Sequence, residues 1–178
     1  RLHDRGVRGV APAGEGRKFW GEGNDLHRAG FQFHCRNNGY ETFDEFLASF
    51  NAKKRAQIKR EVRQPEKVGV TIETLAPADY TKETTLLLYA FSSPPVDKFR
   101  WGRRYLNERF FALLVERFQS RLAWVIARRG DTPIAGAFNV VKGKTLYGRY
   151  WGAREELPFL HFNVCYYHGV KECIARGL

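Results

Sequence analysis

Three strand-type runs, at about 121–128, 133–141 and 145–152, follow one another with only Gly130-Asp131 and Gly143-Lys144 between them. Links that short force consecutive strands to run antiparallel, because a parallel return needs a crossover of about a dozen residues or more. Whatever else the chain does, it must build part of an antiparallel sheet and cover it.

The covering pieces are legible on either side. Val68-Gly-Val-Thr-Ile-Glu-Thr-Leu75 reads as a further strand. Thr42-Phe-Asp-Glu45 is a capping-box sequence, and Phe43, Phe46, Leu47, Phe50, Ile58 and Val62 recur behind it at helical spacing until Pro65. Pro77 starts a second helix running to about Ser92, and a loop with Pro94-Pro95 and Trp101-Gly102 follows. Asn107 caps a third helix, whose expected core face is Phe110, Leu113, Leu114 and Phe118. After Pro158 a last helix spans about 160–176, with Phe162, Tyr166, Val170 and Ile174 as an i, i+4 stripe. Phe31 to Cys35 alternates like a short strand and ends at the turn-like Asn37-Asn38-Gly39, whereas residues 1–29 show no period and read as a Gly-rich mobile tail. The expectation is an α+β fold, a mostly antiparallel sheet flanked by helices. Its organisation is a tail to residue 29, a short strand plus basic connecting helix over 30–64, and a domain over 65–178.

With 178 residues, 43% hydrophobic and 15% aromatic, the chain suits one packed domain. No apolar run approaches the roughly 20 residues of a membrane span, and no signal peptide opens it, so a cytoplasmic protein is expected. Cys35, Cys165 and Cys173 are an odd count without CxxC spacing, which speaks for reduced thiols rather than a disulfide framework or zinc ribbon. A formal charge of +11 favours polyanionic partners: RNA, a phosphate-bearing carrier or an anionic membrane face. Lys53, Lys54, Arg55, Lys59, Arg60 and Arg63 concentrate that charge on the helix before Pro65, as a solvated face or as a contact for tRNA or a pyrophosphate carrier.

Several motifs resemble the FemAB-like family of bacterial proteins assigned to peptidoglycan biosynthesis or recognition. They are Gln32-Phe33-His34 with Asn38-Gly39-Tyr40, Phe43-Asp-Glu-Phe-Leu47, Lys53-Lys54-Arg55, Trp101-Gly102-Arg103 with Tyr105-Leu106, Leu146-Tyr-Gly-Arg-Tyr-Trp-Gly152, and Pro158-Phe-Leu-His-Phe162 with Cys165-Tyr166-Tyr167. The resemblance covers about residues 30–178 and implies a protein of two halves, each like a GNAT acyltransferase. This chain would hold the connecting helix and an incomplete second half, truncated at both ends. The order strand, helix, helix, three strands, helix agrees with the first two-thirds of such a module. Better-understood relatives move an amino acid from aminoacyl-tRNA to an amine of a peptidoglycan precursor. Members often have Glu where this chain has Asn163, and continue into a strand and a Glu-His-Lys motif. The chain ends before either, so residues 1–178 alone are expected to be inactive.

The chemistry so implied is acyl transfer to an amine. In GNAT-like folds the fourth strand splays from the fifth, and its exposed amides polarise the acyl carbonyl, a contribution of about 3 kcal/mol per donor. Here that strand is 145–152, which points to the backbone of Arg149, Tyr150 and Trp151. Arg149 sits in mid-strand among aromatics, where a cation must pair or face a cleft. It is either an anchor for phosphate or carboxylate or a salt-bridge partner of Glu155 or Glu156. His161 is a candidate general base, and Tyr166 and Tyr167 are candidate proton donors that packing also explains. Trp101, Tyr105, Tyr147, Glu155, Asn163 and Tyr167, in or beside the motifs, are candidate substrate contacts. His161, Cys165, His168 and Glu172 fall at i, i+4, i+7 and i+11, a spacing a metal accepts, yet packing accounts for it better, and no metal is expected.

Gly143-Lys144-Thr145 lacks a P-loop's first glycine, and Arg129-Gly130-Asp131 is a turn. Ala153-Arg-Glu-Glu-Leu-Pro-Phe159 has no spaced glycines of the acetyl-coenzyme A type. The expectation is an N-acyltransferase with no tightly bound cofactor, using aminoacyl-tRNA or another activated acyl group, and a small-molecule amine as acceptor. Its rivals are a coenzyme A-dependent N-acyltransferase and a non-catalytic basic module for RNA or anionic envelope precursors.

Overall fold

A computed structural model describes residues 33–92 and 106–178. The chain divides into Arg1–Gly39 and Tyr40–Leu178. Of the first unit the described part, 33–39, forms no strand, so Phe33 to Cys35 are not the strand their alternation predicts. Alternation supplies one face but no partner edge. Phe31 and Gln32 lie outside the described residues.

In the second unit the strand-type runs form the expected antiparallel sheet: β1 (Val70–Thr74), β2 (Val125–Arg129), β3 (Thr132–Lys142) and β4 (Thr145–Ala153), in the order β1-β2-β3-β4. Gly130 and Gly143 turn the hairpins at φ of 56° and 58°, the left-handed region that glycine enters at little cost. Helices lie on both faces. α1 (Phe43–Ala48), α2 (Ala52–Val62), α3 (Gln64–Lys67) and α6 (residues 160–175) adjoin one face; α4 (Lys82–Ser92) and α5 (Glu108–Phe118) cover the other. Trp124, Phe111, Phe138, Leu88 and Phe91 form the core under α4 and α5. Val125, Ala127, Ile134, Ala135, Leu160 and Val164 form the core under α6.

Three elements depart from the sequence reading. The first long helix is two, because Asn51 starts α2 afresh, its Oδ1 accepting from Lys54 N–H at 2.9 Å. Pro65 is therefore no terminator: it occupies the first turn of α3, where a missing N–H costs nothing. Likewise Pro77 opens only a short turn, Pro77–Asp79, and α4 starts anew with Thr81 Oγ1 accepting from Thr84 N–H. In α5 the fully buried residue is Phe111, while Phe118 is 55% exposed. The inward face is turned by about one residue from Phe110-Leu113-Leu114-Phe118, since two adjacent phenylalanines leave the helical phase undetermined.

α4 comes unusually close to the sheet. Gly136 and Gly152 are cross-strand partners, and a Cβ on Gly152 would lie 1.7 Å from the backbone oxygen of Phe91. This glycine pair makes the flat spot on which the end of α4 rests, and it fixes that helix against β4.

Candidate active site at the edge of the sheet

β4 is the outer strand among the described residues, bonded to β3 and to nothing on its other side. Arg149 is skipped in the pairing: Phe138 faces Tyr150 and Asn139 faces Gly148. The extra residue is a β-bulge, which locally bends the strand and resets its alternation. Arg154 N–H bonds the Ile134 carbonyl at 2.8 Å, so the ladder's alternation turns Tyr150 and Gly152 toward β3 and Trp151 and Ala153 outward. Before the bulge, the hairpin turn makes Thr145 and Tyr147 the bonded positions and turns Leu146 and Gly148 out. Of the three residues expected to present backbone amides, Trp151 points its N–H away from the sheet; Tyr150 is laddered.

The bulge also sorts the side chains. Arg149 and Tyr150 share the α4–α5 side, with the guanidinium 5.5 Å from the Tyr150 ring and Tyr150 stacked at 6.2 Å on Phe138. Tyr147, opposite Val140, lies on the same side and is 42% exposed. Glu155 pairs with Arg129 at 3.0 Å, so the alternative that it neutralises Arg149 does not hold. The Arg149 guanidinium has no carboxylate partner among the described residues.

Trp151 emerges on the α6 side and meets His161 at 4.7 Å between rings. Tyr166 closes edge-on against His161 at 5.6 Å, and Phe162 packs 5.6 Å from Tyr166. The His161–Tyr166 contact joins i to i+5 because α6 is not uniform: Leu160–Phe162 and His168–Ala175 are α-helical, but Asn163–Tyr167 is a π turn. Such single turns recur at functional sites. Partial burial against this aromatic row lowers the pKa of His161, which keeps the imidazole neutral near pH 7. The helix is entered through Phe159 at φ 63°, a strained conformation for a non-glycine residue.

The inner side of the π turn is structural. Asn163, only 4% exposed, donates through Nδ2 to the carbonyls of Glu61 and Phe159, both at 2.9 Å. It ties α2 to α6, a structural bond made by a residue expected to contact substrate. The Tyr167 hydroxyl donates to the buried Glu61 carboxylate, which also accepts from Gln57 at 2.7 Å. Burial, then the Glu61 bond, push the tyrosine's pKa well above its ordinary value, so Tyr167 holds its proton. The π turn also breaks the His161, Cys165, His168, Glu172 stripe. Cys165 is half-buried, its thiol pushed up by burial to about 12, and His168 turns to Thr74 Oγ1 at 2.9 Å. Among the described residues no group of three metal-ligating side chains comes together.

On the basic helices, Lys59 pairs with Asp44 at 2.8 Å, Lys54 reaches Gln57 and Arg55 reaches the Phe50 carbonyl. Lys53, Arg60 and Arg63 stay exposed without an acidic partner among the described residues. Trp101 and Tyr105 lie outside the described residues. Sequence reasoning missed Glu61 as a member of these clusters. Glu61 stands three residues after the buried Ile58, and an acid on the apolar side of a helix was the available signal. No helix among the described residues is long and apolar enough to cross a membrane.

Fold and site together define a class: an α+β domain, helices on both faces of an antiparallel sheet, with a bulged, open outer strand beside a helix that presents a neutral imidazole. The family model for FemAB-like proteins, described as peptidoglycan biosynthesis/recognition, matches residues 12–178. The chain belongs to the FemAB-like family. Comparison with curated proteins gives no match.

Proposed function

We propose that this protein is a GNAT-like N-acyltransferase that moves an activated acyl or aminoacyl group onto an amine of a cell-wall precursor. The observation that supports this most is the outer side of β4, where the Trp151 amide faces out beside His161. An acyl carbonyl seated there accepts from that N–H, which strengthens as charge develops on the oxygen. Neutral His161 takes a proton as the amine nitrogen attacks the acyl carbon, and Tyr166 gives one to the departing oxygen as the acyl bond breaks. Arg149 lies across the edge from His161, on the opposite face of the sheet. That arrangement suits a donor phosphate on one side and the acceptor amine on the other, with the carbonyl at the edge between them.

Aminoacyl-tRNA is the preferred donor, because the link after Ala153 has no glycine-rich loop and three cations of α2 and its C-terminal cap are exposed without acidic partners among the described residues. The test is transfer by the intact gene product carrying this chain, offered charged tRNA or acetyl-coenzyme A with a diamine acceptor. Turnover with charged tRNA that Arg149→Ala reduces about tenfold or more, while tRNA binding persists, supports the reading. Turnover with acetyl-coenzyme A alone moves the protein to the other donor class. Binding of tRNA with no transfer from either donor would leave only a basic binding module.

A further inference from the structure

At the other end of the sheet, β1 is also an outer strand among the described residues, and it is built differently from β4. It pairs with β2 in unbroken register from Val70 to Thr74, without bulge, proline or lysine, the usual devices that keep an edge from recruiting another strand. Leu75 N–H bonds the Trp124 carbonyl at 2.8 Å, so alternation turns the N–H and C=O of Thr74, Ile72 and Val70 outward. The groups of Val70 and Ile72 border a groove of about 310 Å³ between β1 and α6, lined by Val70, Thr71 and Ile72 on one wall and Tyr167, His168 and Lys171 on the other. Glu66 at the α3 corner is the carboxylate of that lining, and Asn163, the remaining polar side chain there, is already bonded.

The helix wall is set by a hydrogen-bond chain. Thr74 has one hydroxyl proton and gives it to Glu172 at 3.0 Å, so the His168 Nε2–H must be the donor to Thr74 Oγ1. Burial lowers the pKa of His168, in keeping with a neutral ring. Lys171 is exposed, its ammonium 5.1 Å from the Phe43 ring.

We propose that this groove takes an extended, acidic segment of another polypeptide as an added strand on β1, with a carboxylate at Lys171. A strand edge recessed in a groove needs an occupant that brings alternating N–H and C=O groups, which only extended backbone supplies. The acidic character follows from Lys171 on the helix wall and from the chain's +11 charge, which draws such segments in. Five residues of β1 match about five of the partner at roughly 3.4 Å each.

The probe is a fluorescein-labelled acetyl-Thr-Val-Glu-Val-Thr-Val amide, titrated by anisotropy against the full chain. The expected result is saturable binding weakened by salt. N-methylation of alternate residues in one phase should reduce it at least tenfold, and methylation in the other phase should change it little. Lys171→Glu should weaken the acidic probe and not a Glu→Gln version. Ile72→Pro, which removes an outward N–H and leaves the β2 ladder intact, should abolish binding with the thermal transition retained. Absence of binding, equal sensitivity to both methylation phases, or dimerisation of the chain through β1 in place of peptide binding would overturn the proposal. Because the readout is binding, a failure of transfer leaves it untouched.

Discussion

Asn163 is the residue on which the candidate site most depends without touching it. Its Nδ2 holds two carbonyls, one on α2 and one at the strained entry to α6, and so secures the π turn that brings Tyr166 to His161. Asn163→Ala should cost about 1–3 kcal/mol, the penalty for stranding buried acceptors. It should also return the His161 titration, followed by NMR, toward its ordinary range; a destabilised variant with unchanged His161 titration would assign Asn163 to stability alone. Both His161 and His168 have pKa values lowered below 6.5, largely by burial. The unfolded chain therefore binds more protons than the folded one just below that value, and stability falls as pH drops through it. Melting temperatures between about pH 7 and pH 5 should decline, and His168→Gln should flatten the slope.

At the scale of elements, much was legible because period and punctuation agree there. The hairpin glycines, the Asn107 cap and the order of strands and long helices from β1 onward stand where the sequence puts them. What was not legible arises from insertions into a regular period. The bulge at Arg149 and the π turn at Asn163–Tyr167 each add a residue to an element whose phase sequence reasoning assumes is constant. Alternation alone would have put Arg149 on the face of Trp151; the bulge puts it beside Tyr150. Helical phase alone aligned His161 with Cys165; the π turn aligns it with Tyr166. The split between α1 and α2 was hidden because Asn51 lies inside a continuous apolar stripe. Contact between α4 and β4 gives a prediction at this scale: Gly152→Ala meets backbone, which cannot rotate away, and should cost about 3 kcal/mol by thermal unfolding. Gly136→Ala, whose neighbours are the side chains of Leu88 and Phe91, should cost less.

Among the described residues of the second unit, the sheet offers two outer strands of different character. β4 is bulged, flanked by aromatics and the Arg149 guanidinium; β1 is regular and faces a groove. One suits chemistry on an acyl group, the other recognition of extended chain. The basic face narrows to Lys53, Arg60 and Arg63, so replacing all three by Ala should reduce the dependence of tRNA binding on log salt by about two to three units of slope, with little change in stability.

If transfer runs as proposed, the outward amide of Trp151 stabilises the acyl oxygen. Replacing that N–H by an ester oxygen, through an α-hydroxy analogue of tryptophan at this position, leaves the side chain and the β3 ladder in place. The expected result is transfer from charged tRNA by the intact gene product with kcat lowered about 10²–10³-fold and KM little changed. An ester-bearing protein that transfers as fast as the unmodified one would contradict it.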